Sequence, residues 1–145
     1  TVLGNSGAPS RPPANSLLAA LPADLRAVMK SVSKYSDNNG GGYDTASYVT
    51  ATTDWLFLLA EFEYHGSRSY ANSAEQNYQK QYDYYKAGNS KVHYRHDSTG
   101  TAVAAWTRSA GSGTGRYFCR VYTAGTPGSS NAADNSWALA PGFAA

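Results

Sequence analysis

Arg116-Tyr117-Phe118-Cys119-Arg120-Val121-Tyr122-Thr123 is the stretch on which the fold turns. Three aromatics and a valine within eight residues make it strongly strand-forming. Outward from it the texture stays β. Lys91 to Arg95 alternates, Ala102 to Arg108 carries Trp106, and Trp137 to Ala144 reads as a last strand broken at Pro141-Gly142. Two loops of small polar residues separate these runs, 109–115 (SAGSGTG) and 124–136 (AGTPGSSNAADNS).

Upstream the pattern is helical. Pro22 and Asp24 suit a first turn, and Leu21, Leu25, Val28, Met29 and Val32 share a helical face. Lys30 and Lys34 favour the far end, so a helix is expected to stop near Tyr35, before the loop Ser36 to Gly42. Residues 43–53 have β character, and Trp55-Leu56-Phe57-Leu58-Leu59 reads as a strand covered on both faces. Asn72-Ser73-Ala74-Glu75 looks like a capped start for a second helix over about 75–87. It would carry Tyr78, Tyr82 and Tyr85 on one face and end at Gly88. Such a stripe is more often packing than ligand site. Two helices early and strands late predict an α+β domain over 16–145, and the Gly/Pro/Ser-rich 1–15 reads as a linker or arm. With Thr1 rather than Met at the start, the chain reads as a fragment of a longer protein.

Composition narrows the function. Charged residues are 15% of the chain, below the roughly 25% of an average domain. Twelve Tyr, three Trp and four Phe take their place. Amphipathic aromatics suit a recognition surface, or equally the edges of a small β-rich core. A net charge of +2 does not point to nucleic acid, and no apolar run approaches the ~18–20 residues of a membrane span. Cys119 is the single cysteine, so neither an internal disulfide nor a thiolate zinc cluster is available, and it reads as a small strand hydrophobe.

Catalytic constellations are thin. His93 and His96 have a spacing that would serve a metal on a helix, but in a strand they fall on opposite faces. Glu61 and Glu63 would share a face if the preceding strand continued. A paired-carboxylate hydrolase built on them or His65 would still need a cleft that no nearby sequence supplies. No serine stands in a nucleophile elbow, and no glycine loop carries a phosphate-cradle lysine. No enzyme, metal or cofactor is expected. Binding candidates are richer, because Tyr supplies rigid contact area while Ser and Asn supply adaptable hydrogen bonds. Ser112, Thr114, Arg116, Tyr117, Arg120, Tyr122, Asn131, Asp134, Asn135 and Trp137 form the candidate ligand surface. Ordinary solvated loops would have the same composition.

Several segments in order resemble one family. Trp106-Thr107-Arg108-Ser109, Phe118-Cys119-Arg120-Val121 and Ala140-Pro141-Gly142-Phe143 are similar to the DUF6273-type domain of Firmicutes bacteria and their prophages. Trp55 to Glu61 resembles that family's "LFLLSE" segment, and Tyr84 to Ser90 its "YYKAGNS", so the likeness covers about 21–145. Departures include Ala105 in place of an aromatic, Thr107 in place of Leu and Ala110 in place of Pro. The resemblance implies a C-type-lectin-like fold related to formylglycine-generating enzymes, in phage tail or baseplate proteins. Some relatives are diversified by retroelements in this C-terminal segment. Trp106, Arg108, Phe118, Val121, Pro141 and Phe143 would then be scaffold and the polar positions between them the ligand surface. Calcium-binding lectin tripeptides and the paired cysteines of the oxidases are absent.

The expectation is a receptor-binding or adhesin domain on a virion or a bacterial surface. Its partners would be a bacterial surface polysaccharide or protein and an upstream tail or fibre region, with trimerisation typical of fibre tips. The alternative is a structural baseplate, tail or capsid-decoration protein whose loops contact neighbouring subunits; a lesser one is a cell-wall polysaccharide hydrolase using Glu61, Glu63 or His65.

Overall fold

The computed structural model describes residues 2–40, 44–113, 115–131 and 134–145. In chain order they form α1 (Leu17–Ala20), α2 (Ala23–Val28), β1 (Val32–Asp37), a 3-10 turn (Ala46–Tyr48), β2 (Val49–Asp54), β3 (Phe57–Leu58) and α3 (Glu61–His65). A second 3-10 segment (Ser73–Asn77), α4 (Asp83–Lys86), β4 (His93–Arg95), β5 (Ser98–Val103), β6 (Ala105–Ala110), β7 (Tyr117–Val121), β8 (Pro127–Asn131) and β9 (Pro141–Gly142) follow. The architecture is mixed, with short helices and small antiparallel sheets. Two compact units divide it: Thr1–Lys34, Thr52–Phe57 and Pro141–Ala145 form one, Tyr35–Ala51 and Leu58–Ala140 the other.

In the first unit Leu18, Met29 and Leu56 are buried together, with Leu3, Leu17, Leu21 and Trp55 packed against them. Asn5 lies in the segment read as an arm. Its Oδ1 accepts the N–H groups of Trp55 and Leu56 at 3.1 and 3.0 Å, and its Nδ2 donates to the Leu56 carbonyl at 2.6 Å. Ser16 caps α1, accepting the Ala19 N–H at 3.2 Å. The helix expected to reach Tyr35 instead stops at Val28, and Met29 is already extended. None of the side chains in α2 is buried, so packing does not offset the cost of nucleating six residues. From Val32 the exposure alternates along the chain, and the β-branched residue begins a strand.

In the second unit the helix expected over 75–87 is broken. Asn72 does cap a start, its Oδ1 accepting the Ala74 N–H at 3.0 Å, but the following turn is 3-10. That turn carries Glu75 into the interior, while the Tyr82 N–H goes to the Glu63 carbonyl at 3.1 Å. Tyr78 and Tyr82 are consequently exposed, and Tyr78 stacks on Tyr35 at 4.3 Å instead of lining a core face. The apolar run 55–59 contributes only the two-residue β3. α3 ends at Gly66, whose φ of 72° is the left-handed conformation a C-terminal cap requires.

The main sheet has the order β6-β7-β8. β7 and β8 pair antiparallel without interruption, Tyr117 opposite Asn131 and Val121 opposite Pro127. Residues 127–131 were read as part of a loop. They form an edge strand because β7 supplies a complete ladder for a segment with little strand propensity of its own. Between β6 and β7, Trp106 faces Arg120 and Ala110 faces Phe118, so Thr107, Arg108 and Ser109 stand opposite Cys119 alone. This wide bulge turns the Arg108 N–H to the Leu59 carbonyl at 3.1 Å.

Candidate ligand-binding face

Strand alternation gives the β6-β7-β8 sheet two unlike faces. Cys119 and Val121 are fully buried, and Cys119 packs with Phe62 and Ala71. Burial raises the pKa of the Cys119 thiol, the nearby Glu61 and Glu75 adding to the effect, so it serves as packing. Phe118 and Arg120 occupy the opposite side of β7, with Ser130 and Gly128 as their cross-strand neighbours.

Arg120 is the centre of that open face. Its guanidinium lies over the Tyr122 ring at 4.1 Å and the Trp137 ring at 4.5 Å, and Trp137 meets Trp106 edge to face at 6.4 Å. Trp137 is brought alongside by a parallel bridge between Ala105 and Ala138, with the Trp106 N–H donating to the Ala138 carbonyl at 3.0 Å. Gly128 leaves the room that the Tyr122 ring occupies, since a Cβ at this position would lie 2.1 Å from it. Phe118 and Tyr122 remain 39% and 37% exposed, which makes them available to a partner. Among the described residues none accepts a hydrogen bond from the Arg120 Nε or the Trp137 indole N–H, both of which are buried.

Behind the sheet the bulge organises a polar interior. Arg108 holds Glu63 through two bonds of 2.5 and 2.6 Å and also donates to Ser36 Oγ and the Leu58 carbonyl. Glu63 in turn accepts the Ala60 N–H at 2.8 Å, reaching back to the start of its own helix. Glu61 takes the N–H groups of Ser69, Tyr70 and Ala71 at 2.8–3.1 Å. The Ser109 hydroxyl accepts the Glu61 N–H and donates to Glu75, which also receives the Asp37 N–H and the Gln79 amide. Burial raises the pKa of Glu75, and these hydrogen bonds, Ser109's foremost, only partly oppose it. The two carboxylates considered for hydrolysis sit within a helix, buried, and occupied by backbone and Arg108.

Two of the three histidines are held by ring packing, and His96 is exposed. His65 and His93 both pack on Tyr64, and burial lowers both pKa values, that of His65 to about 4 with Lys91 contributing. No helix of the described residues is long and apolar enough to cross a membrane, and no group of three or more His, Cys, Asp or Glu among them is placed to hold a metal ion.

The ten residues expected to bind ligand are only partly united. Arg120, Tyr122 and Trp137 form the open cluster. Tyr117 and Asn131 pair across β7 and β8 on the other side of the sheet. Asn131 donates to Asp134 at 2.7 Å, and Asn135 donates to the Asn131 carbonyl at 3.0 Å. Ser112 belongs elsewhere: its hydroxyl accepts from Arg68, which also grips Asp44, and its N–H meets the Tyr70 carbonyl at 2.6 Å. Arg116 is exposed just ahead of β7, and Thr114 lies outside the described residues. Trp106 and Phe118, read as scaffold, are instead half-buried and exposed members of the open face. The period of two in 116–123 carried that signal for Phe118.

The family model described as a domain of unknown function, DUF6273, matches residues 14–144. No curated protein and no solved structure matches the chain.

Proposed function

The chain belongs to the DUF6273 family, and from that premise we propose that it is a ligand-binding module and not an enzyme. It serves as the receptor-binding or adhesin domain of a phage tail or related surface apparatus. On a C-type-lectin-like scaffold it presents its open sheet face to a polysaccharide or protein of the bacterial surface. The observation carrying this reading is the cluster of Arg120 stacked on Tyr122 and Trp137, extended by Trp106 and Phe118. Aromatic side chains around an arginine are the composition of binding hot spots, and here Phe118 and Tyr122 are exposed at the rim of a half-buried centre. The occupied state of Glu61 and Glu63 supports binding over hydrolysis.

The test is binding of the purified chain to cell envelopes from candidate hosts. Trp137→Ala and Tyr122→Ala should each weaken binding about tenfold or more while the melting temperature moves only a few degrees. Binding untouched by both substitutions would remove this face from consideration. If the chain instead self-associates and both substitutions dissolve the oligomer, the face serves assembly, as expected of a baseplate or decoration protein.

A further inference from the structure

We infer that the ligand of this face is an acidic sugar whose anionic oxygens pair with the Arg120 guanidinium while its ring lies against the neighbouring aromatics; this rests on the binding reading above. The argument begins with what Arg120 lacks. Each of the other arginines shown in hydrogen bonds (Arg26, Arg68, Arg95 and Arg108) has an oxygen partner. The Arg120 side chain has two rings and makes no hydrogen bond or ion pair with a described residue. With its faces against rings and its Nε buried, the guanidinium has its two Nη groups left as the place for a further partner, and that edge matches two oxygens of one carboxylate or phosphate. The rings restrict its rotation, so little entropy remains to be lost when the anion arrives.

The surroundings select the rest of the ligand. Exposed Phe118 and Tyr122 stand beside half-buried Trp106 and Trp137 on this sheet face, an apolar setting that suits the flat C–H face of a pyranose. Ser130 stands opposite Phe118 and can hydrogen-bond a hydroxyl. A net charge of +2 leaves the chain without a general repulsion of anionic polymers.

The experiment uses envelopes that bind the whole chain. One portion is treated with carbodiimide and borohydride to reduce carboxylates, another with cold hydrofluoric acid to cleave phosphodiesters, a third with protease. One of the first two treatments should lower binding about tenfold, and Arg120→Met should lower it similarly on untreated envelopes. The two losses should not add, because both remove the same contact. Whichever treatment acts identifies a carboxylate or a phosphate as the source of the anion. Arg120→Lys, which keeps the charge without the planar edge, should fall between, and Lys80→Met should match the parent. Thermal melts of each variant separate lost binding from lost folding. Insensitivity to both chemical treatments, fully additive losses, or abolition by protease overturns the acidic sugar. If Trp137→Ala also leaves envelope binding intact, the binding face itself is overturned.

Discussion

Removing the Glu61 carboxylate should loosen the segment that follows α3 more than any other single change in the buried polar network. The Glu61 side chain is 1% exposed, and its Oε2 alone accepts the N–H groups of Ser69, Tyr70 and Ala71 at 3.1, 3.0 and 2.8 Å. Its Oε1 adds a second contact to Tyr70 at 3.0 Å. Ser69 and Tyr70 are exposed enough for water to replace the carboxylate, whereas Ala71 is fully buried. Glu61→Ala therefore leaves one N–H without a partner, at about 1–3 kcal/mol, and loses two bonds of about 1 kcal/mol each. Added together, the expected destabilisation is about 3–5 kcal/mol. Glu61→Gln keeps one acceptor oxygen but turns an NH2 toward the Tyr70 N–H, so its cost should be roughly half as large. Native-state hydrogen exchange is the direct assay. In Glu61→Ala the Ala71 amide should exchange about a hundredfold faster or more, since each 1.4 kcal/mol is a factor of ten. An Ala71 amide unchanged in rate, with stability within about 0.5 kcal/mol of the parent, would refute the clamp.

Three further expectations follow from other sites. Glu75 has its folded pKa raised by burial, so its contribution to stability is fully present below the unfolded value near 4.5 and is lost as pH rises through the folded value. Chemical denaturation across pH should show the parent losing stability relative to Glu75→Gln above about pH 4.5. His65 shifts the opposite way. Its neutral form stabilises the fold above the unfolded value near 6.5, and that stability falls away as pH drops toward about 4, which an NMR titration of the imidazole will show directly. Gly128→Ala should displace the Tyr122 ring and open the Arg120 stack while costing only about 1–2 kcal/mol, because the ring it strikes is a partly exposed side chain. Envelope binding should fall in that variant, and a crystal structure with the ring unmoved would contradict the reasoning.

Local chemistry made part of this legible in the sequence. Strand β7 is dense in aromatics and its ladder forms where they stand. The cap at Asn72 and the stop at Gly88, with φ of 86°, were also visible. What failed depended on tertiary partners. Pro127–Asn131 has little strand propensity and is a strand because β7 lies beside it. Glu61 and Glu63, set aside as a carboxylate pair for want of a cleft, gave no sign in the sequence of the helix, backbone amides and Arg108 that hold them. The candidate face shows both cases. Arg120, Tyr122 and Trp137 were named from residue type, but their grouping needed the bridge at Ala138 and the register placing Trp106 opposite Arg120. Residue type alone also included Ser112, which Arg68 holds in a different cluster.

The alternation along β7 also limits how this surface can evolve. Positions 118 and 120 look outward, while 119 and 121 are packed into the interior. The chemistry of the outward face can change through alternate codons, leaving the intervening ones to preserve the packing. Indiscriminate rewriting of the whole segment would strike the packed Cys119 and Val121 as often as the outward-facing Phe118 and Arg120. Most variants made that way would be lost to misfolding before any were tested for binding. Diversity confined to every second position gives fewer sequences, but it spares the residues packed into the interior.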